Sequence, residues 1–362
     1  MVLETEILKV LHGIGKESEV DKRPGDFMTG EGITLGICTS TDESYRYYID
    51  ACEELRVRYK IIDFLSHDWI EQVQRSQCDG FLLRPPCDYQ ERKTIYDERM
   101  YLLNFEMNRP IYPGYKELYI YENKRNMADW LKLNGFPQVK TRVFTDKRTA
   151  MAYFNQCSYP VVFKSNVGSG SKQVLVINSK LHAKAIATKV FGLFHPAMAV
   201  GYSPLAYYRK KSFPFRTVGN AQKHYLLVQD YKEIKWEWRI IRIGNSFFGH
   251  KKLLKGKFAS GSGRVGWEEP PTELLGLARD LSQKGGFHSM ALDVFETVDN
   301  QFCINEIQSI FGSYDDSQMY INGRPGRYVY MDGNFIFEEG RFNRHGSYLL
   351  RVEHFLEILS KE

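Results

Sequence analysis

The stretch ALDVFETVDNQFCINEIQ, residues 291–308, decides the reading of this chain. Two apolar strands flank Asp299-Asn300, a dipeptide suited to the tight turn of a hairpin. Asp293 lies inside the first strand. Glu306 and Gln308 lie two apart on the second and therefore share a face. Carboxylates within apolar strands are costly unless paired or metal-bound. Three oxygen donors on adjacent strands suit Mg²⁺, which completes its shell with phosphate and water. A solvated sheet face is the alternative. The flanking Leu292, Val294, Ile304 and Ile307 favour burial and the metal.

Upstream, PVVFKSNVGSGSKQVLVI at 160–177 reads as a strand, a Gly/Ser loop and a returning strand. The first strand delivers Lys164. Gly168, Ser169 and Gly170 give a backbone that can approach a phosphate closely and cradle it with N–H groups. Taken alone, the segment reads as well as a hairpin with a surface lysine. Between these two stretches, YLLVQDYKEIKWEWRIIRIG at 225–244 carries Gln229, Asp230 and Tyr231 at the end of one strand. Glu237 and Arg239 sit two apart on the next. Glu237 can accept from ribose hydroxyls and Arg239 can clamp a carboxylate or phosphate. In isolation a Glu/Arg pair on a sheet surface is the better explanation of them.

The remaining pattern organises these stretches. Residues 33–112 alternate short apolar strands (33–38, 60–64, 80–83, 110–112) with helices (42–55, 68–75, 90–107), the mark of a small parallel α/β domain. A helix at 124–133 stops at Gly135-Phe136-Pro137. Beyond residue 225 the order is strands, one helix at 272–284 and further strands, an α+β arrangement with an antiparallel sheet. The segment 324–362 ends in an amphipathic helix. We divide the chain into an extension (1–29), an α/β domain (30–118), a small lobe (119–224, with an aromatic and basic insertion at 195–223) and a large lobe with the C-terminal helix (225–362). The insertion reads either as a cover for a sugar or peptide or as a surface loop packed by its own aromatics.

Bulk properties bound the class. The chain has 362 residues, 43% hydrophobic and 26% charged, which is globular and too long for one small core. A net charge of +5 is spread along the sequence, with one cluster at 251–257, and suits anionic small molecules. It lacks the clustered basic face of a nucleic-acid binder. None of the six cysteines forms a CxxC pair, and no apolar run reaches bilayer length. The N-terminus lacks the apolar run of a signal peptide. The expected location is the cytoplasm.

In order and separation, these segments resemble the ATP-grasp superfamily over roughly residues 33–312. The closest likeness is to the branch that ligates amino acids to carboxylates, such as the ribosomal-protein glutamate ligases. The resemblance implies an ATP-grasp fold with an N-terminal pre-ATP-grasp parallel α/β domain. It also implies roles for individual residues. Lys124 and Lys164 resemble the two nucleotide lysines, with 165–171 as the lid over the phosphates. Asp230 and Tyr231 resemble the adenine hinge, beside Gln229, and Glu237 the ribose acceptor. Lys251 resembles the basic residue that meets the terminal phosphate. Asp293, Glu306 and Gln308 resemble the ligands of Mg²⁺, for which Mn²⁺ is the natural substitute. Two positions depart from the family: Gln308 stands where Asn is usual, and Ala259 where many relatives carry Arg, with Lys257 or Arg264 as replacements.

The implied reaction is ADP-forming ligation. A carboxylate takes the γ-phosphate of ATP, an amine displaces phosphate from the acyl phosphate, and Arg239 orients the acyl group. The run at 308–330 resembles grasp proteins of surface-polysaccharide gene clusters, which implies a sugar acid as one substrate. Two alternatives stay open: a grasp kinase acting on a hydroxyl, and a nucleotide-binding module without catalysis. A homodimer is the default expectation for a soluble enzyme.

Overall fold

The computed structural model describes residues 32–88, 90–168, 174–192, 224–256, 259, 263–311 and 315–361. Strands β1 (Thr34–Cys38), β2 (Arg58–Ile62), β3 (Gly80–Leu82) and β4 (Ile111–Tyr112) form a parallel sheet in the order β2-β1-β3-β4. Between them run α1 (Arg46–Glu54), α2 (Trp69–Ser76) and α3 (Gln90–Tyr101). A short π-helical turn, Leu102–Glu106, ends the helix expected to continue to residue 107. Gly36 is required in β1, because a Cβ there would lie 2.3 Å from the Phe81 ring. Helix α4 (Tyr115–Ile120) leads out of this domain into α5 (Lys124–Leu133). The Asn123 side chain caps α5 by accepting from the Asn126 amide.

The second sheet is antiparallel and consists of β5 (Thr141–Phe144), β6 (Val161–Lys164), β7 (Val174–Ile177) and β8 (Leu226–Asp230), ordered β5-β8-β6-β7. Helices α6 (Lys147–Gln156) and α7 (Lys180–Val190) bury Phe154, Ile186 and Val190 against Phe163, Ile177 and Val228. The sequence reading assigned the strand at 225–231 to the large lobe. Its hydrogen bonds go instead to β5 and β6, so it completes the small sheet.

The third sheet has eight strands: β9 (Ile234–Ile243), β10 (Ser246–Lys252), β11 (Val265–Gly266), β12 (Ser289–Thr297), β13 (Phe302–Gln308), β14 (Tyr320–Ile321), β15 (Arg324–Met331) and β16 (Asn334–Glu339). The main order is β13-β12-β9-β10-β15-β14, with β11 on β10 and β16 on β15. Helix α8 (Thr272–Gly285) packs Leu274, Ala278 and Leu281 into the same core as Ile240, Phe248 and Leu292. The hairpin expected around Asp299-Asn300 is present, with Asn300 at φ 59°. The C-terminal helix α9 (Tyr348–Leu359) returns to the first domain. Its Tyr348, Val352 and Phe355 share a core with Leu35, Ile37, Tyr48 and Tyr112.

Candidate active site

Strand pairing alone aligns a polar row across the third sheet. Glu306 on β13 faces Asp293 on β12, which faces Arg239 on β9, which faces His250 on β10. Two positions along, and so on the same face, Glu237 faces Lys252. The register between β12 and β13 shifts at Asp293/Val294, leaving Asn305 as the extra residue of a β-bulge. A bulge re-aims a side chain out of strict alternation, and Asn305 joins the same cluster as its neighbour Glu306.

Within this cluster Arg239, Lys252 and Lys124 each stand against a carboxylate, and Lys164 against an amide oxygen. Arg239 donates from Nε and Nη2 to the two carboxylate oxygens of Asp293, both at 2.9 Å. Its Nη2 also lies 3.5 Å from Gln308 Oε1. Lys252 donates to Asp293 at 2.6 Å and to Glu237 at 2.8 Å. Asn305 donates to Glu237 at 3.0 Å and accepts from Lys164 at 2.7 Å. Lys164 ends β6, so this last bond ties the small sheet to the large one. Lys124 opens α5 and reaches Glu306 at 3.0 Å, while donating to the Gly168 carbonyl at 2.8 Å. Glu122 accepts from the Gly168 amide and stands 3.7 Å from Lys124. Gly168 has φ 130°, open to glycine alone, and its peptide groups are thereby held between a buried lysine and a buried glutamate.

Burial would raise the pKa of Asp293, but the adjacent Arg239 and Lys252 outweigh it and hold the carboxyl well below its usual range. Glu306 behaves alike: burial opposes ionisation, and Lys124 wins. For Lys164 burial prevails, aided by the nearby charge of Lys124, and its pKa falls to about 8. Glu122 moves upward through burial against the pull of Lys124. The site is therefore a dry, charge-balanced cleft containing anionic oxygens and cations in reach of one another.

The structure brings together Lys124, Lys164, Gly168, Glu237, Arg239, Asp293, Glu306 and Gln308. It does not bring Lys251 there. Lys251 alternates with Lys252 and projects from the opposite face, its ammonium 3.7 Å from the Trp236 ring centre and paired with Glu268. Lys252 occupies the position expected of Lys251. Asp230 ends β8 at the joint with β9, but Arg142 holds its carboxylate at 2.6 Å. Gln229 is buried and donates to Thr141 at 3.2 Å. Tyr231, in the three-residue connection between β8 and β9, is half-buried. Glu237 is buried, with both oxygens engaged by Lys252 and Asn305. Ser169, Gly170, Lys257 and the 195–223 insertion lie outside the described residues, as does the extension 1–29. Arg264 is exposed and Ala259 buried. Sequence reasoning missed Lys252, Asn305, Glu122 and Arg142.

As a donor set, Asp293, Glu306 and the Gln308 amide are all oxygen ligands, the chemistry Mg²⁺ takes. Among the described residues no three His, Cys, Asp or Glu side chains form a closed metal cage. The positions next to these carboxylates are taken by the ammonium groups of Lys124 and Lys252, which already balance the two acids.

No family model matches the sequence, and no curated protein matches it either. The fold does have solved counterparts. D-cycloserine synthetase DcsG superposes with a TM-score of 0.57 at 13% identity, over 89% of this chain and 99% of that one. The ADP complex of PurK, an N5-carboxyaminoimidazole ribonucleotide synthetase, gives 0.53 at 14% identity, over 77% and 70%. The N5-carboxyaminoimidazole synthetase of Staphylococcus aureus gives 0.52 at 14% identity, over 82% of each. The chain has the ATP-grasp fold, with a parallel α/β domain preceding two antiparallel sheets.

Proposed function

We propose that an ATP-grasp fold carrying this charge cluster makes the chain an ADP-forming ligase that joins a carboxylate to an amine. The observation that carries the reading is the meeting of Lys124 and Lys164, from the small-lobe side, with the Glu306–Asp293–Arg239 row of the large sheet. A nucleotide complex such as that of the PurK relative supports the nucleotide half of the reading.

In this scheme Lys124 and Lys164 bind the phosphate chain, and the Gly168 turn closes over it. The link between β8 and β9 receives the base. Asp293, Glu306 and Gln308 would hold Mg²⁺, which neutralises phosphate charge. The substrate carboxylate attacks the γ-phosphorus, the bond to ADP breaks, and an acyl phosphate forms. The amine then attacks the acyl carbon and loses a proton, and the C–O bond to phosphate breaks. Products are an amide, ADP and phosphate. Arg239 and Lys252 face the developing negative charge, and their value rises because the cleft is dry. An amino acid or a sugar acid is the substrate class we assign, in a cytoplasmic enzyme. Among the described residues no helix is long and apolar enough to cross a membrane.

The test is ADP release from Mg·ATP against pooled carboxylates and amines, with Glu306→Ala alongside. Release that needs both pools and disappears in the variant supports a ligase. Release with hydroxyl acceptors alone would turn the assignment to a kinase. Failure to bind Mg·ATP would overturn it.

A further inference from the structure

Glu122 links α4 to α5 with its backbone at φ 53°, a left-handed position that residues bearing a side chain rarely take. Its side chain is buried. The carboxylate accepts from the Gly168 amide at 2.5 Å and stands 3.7 Å from the Lys124 ammonium. A glycine amide and an ammonium converging on one oxygen are the donors that hold a phosphate. Here a carboxylate of the chain itself holds them.

Neither the loop nor the lysine depends on that contact for its place. Asn166 fixes the loop two residues earlier. Its carbonyl accepts from the Lys124 amide at 3.3 Å and its Oδ1 from the Arg125 amide at 3.0 Å, at the start of α5. Its Nδ2 donates to Gln90, on α3, at 2.7 Å. Lys124 has two further acceptors, Glu306 at 3.0 Å and the Gly168 carbonyl at 2.8 Å. As a brace Glu122 is therefore redundant. Its position is also unfavourable for a charge, since burial pushes its pKa upward against the pull of Lys124. A buried acid on a strained backbone, redundant as a brace, points to a role in function rather than in holding the fold.

We propose that Glu122 competes with nucleotide phosphate for the Gly168 amide and the Lys124 ammonium, and thereby sets how tightly the cleft holds ATP and ADP. The proposal rests on the reading of Lys124 and the Gly168 turn as phosphate binders. An arriving phosphate oxygen takes over the amide and the ammonium, and the carboxylate gives them up. When the carboxylate takes them back, it favours departure of ADP. Product release limits turnover in many enzymes, and an internal competitor keeps the product from binding too well.

The experiment titrates Mg·ATP, Mg·ADP and adenosine into the full chain by calorimetry, for wild type, Glu122→Gln and Glu122→Ala, with folding checked by the melting temperature. Gln keeps an acceptor oxygen for the Gly168 amide and loses the charge; Ala loses both. A site relieved of its competitor shows its intrinsic affinity, so both nucleotides should bind about threefold tighter to Glu122→Gln and about tenfold tighter to Glu122→Ala. Adenosine, which has no phosphate, should bind all three proteins alike. Unchanged or weaker nucleotide binding by a folded Glu122→Gln makes the carboxylate a brace and overturns the proposal. Loss of folding in Glu122→Ala shows the same and overturns it. Equal gains in the two variants reduce Glu122 to a repelling charge with no donor in common with phosphate, and the competition falls. An equal gain for adenosine places the effect away from the phosphates, with the same result. If Mg·ATP binds none of the three proteins, the nucleotide reading itself fails and takes the proposal with it.

Discussion

The guanidinium of Arg239 meets the carboxylate of Asp293 across β9 and β12 through two parallel hydrogen bonds, each 2.9 Å. Lys252 adds a second cation to the same carboxylate. One acid therefore anchors two bases in a dry cleft. Removing one member of such a buried set costs roughly 3–5 kcal/mol, because the remaining charges lose their counterpart. Asp293→Asn keeps the shape and removes the charge. We expect it to lose stability of about that size in urea unfolding and to abolish ADP release. A variant that unfolds like wild type and still forms ADP would remove Asp293 from both roles.

Adjacent lysines on β10 give a sharper contrast. Lys252 points into the cluster, and Lys251 packs on Trp236 and Trp238 from the other face. Lys252→Met should lower the rate of ADP formation by about a hundredfold or more, the scale of losing one preorganised charge at a reacting group. Lys251→Met should stay within a few-fold of wild type, its cost appearing in stability. The reverse pattern would restore Lys251 as the phosphate ligand and displace Lys252.

That contrast shows how far the sequence could be read. The two-residue turn Gly244-Asn245 pairs Ile243 with Ser246, and counting outward pairs Arg239 with His250 and Glu237 with Lys252. Strict alternation was therefore enough to send Lys252, not Lys251, toward the carboxylates, and the family resemblance obscured it. The hairpin that holds Asp293 and Glu306 was legible because its apolar flanks and Asp-Asn turn are local signals. Asn305 was not, because a bulge breaks the period-two rule and leaves no mark in a single sequence. Nor were Glu122 and Arg142, whose roles depend on partners at Gly168 and Asp230, distant along the chain. The return of α9 to the first domain was equally hidden: an amphipathic helix states that it needs an apolar partner, not which one.

Acid should destabilise the fold through its buried histidines. Burial lowers His250 and His354 to about 4, below the ordinary value near 6.5. His250 binds the Gln318 carbonyl through Nδ1, and His354 Nδ1 meets the Tyr112 hydroxyl. As pH falls from about 6.5 to about 4, the unfolded chain takes up protons that the folded chain refuses, so stability drops across that window. Glu117 and Asp97, raised by burial to about 7 and about 6, work the other way, since they favour protonation in the fold. Thermal unfolding of wild type and His354→Gln between those limits separates the contributions. The variant should lose less of its melting temperature on acidification. Parallel curves would show that His354 does not carry the effect.

Lys164 links the cleft's electrostatics to nucleotide binding. Burial and the charge of Lys124 bring its pKa down to about 8 in the free protein. Phosphate oxygens arriving beside it favour the charged form, so the bound value must rise. Between the free and bound values binding takes up a proton, and affinity for Mg·ATP falls as pH rises above about 8, by up to tenfold per pH unit. Below about 8 the ammonium is already present and its titration adds no slope. A guanidinium keeps its charge throughout this range. Lys164→Arg should therefore bind Mg·ATP with a flatter profile between about pH 7.5 and 9.5, whatever its absolute affinity. Calorimetry in buffers of different ionisation enthalpy supplies the second readout, with proton uptake near pH 9 in wild type and little in the variant. Equal slopes and equal proton uptake in the two proteins would mean that Lys164 does not titrate with the phosphates, and its place at the end of β6 would then be only to bridge the sheets through Asn305.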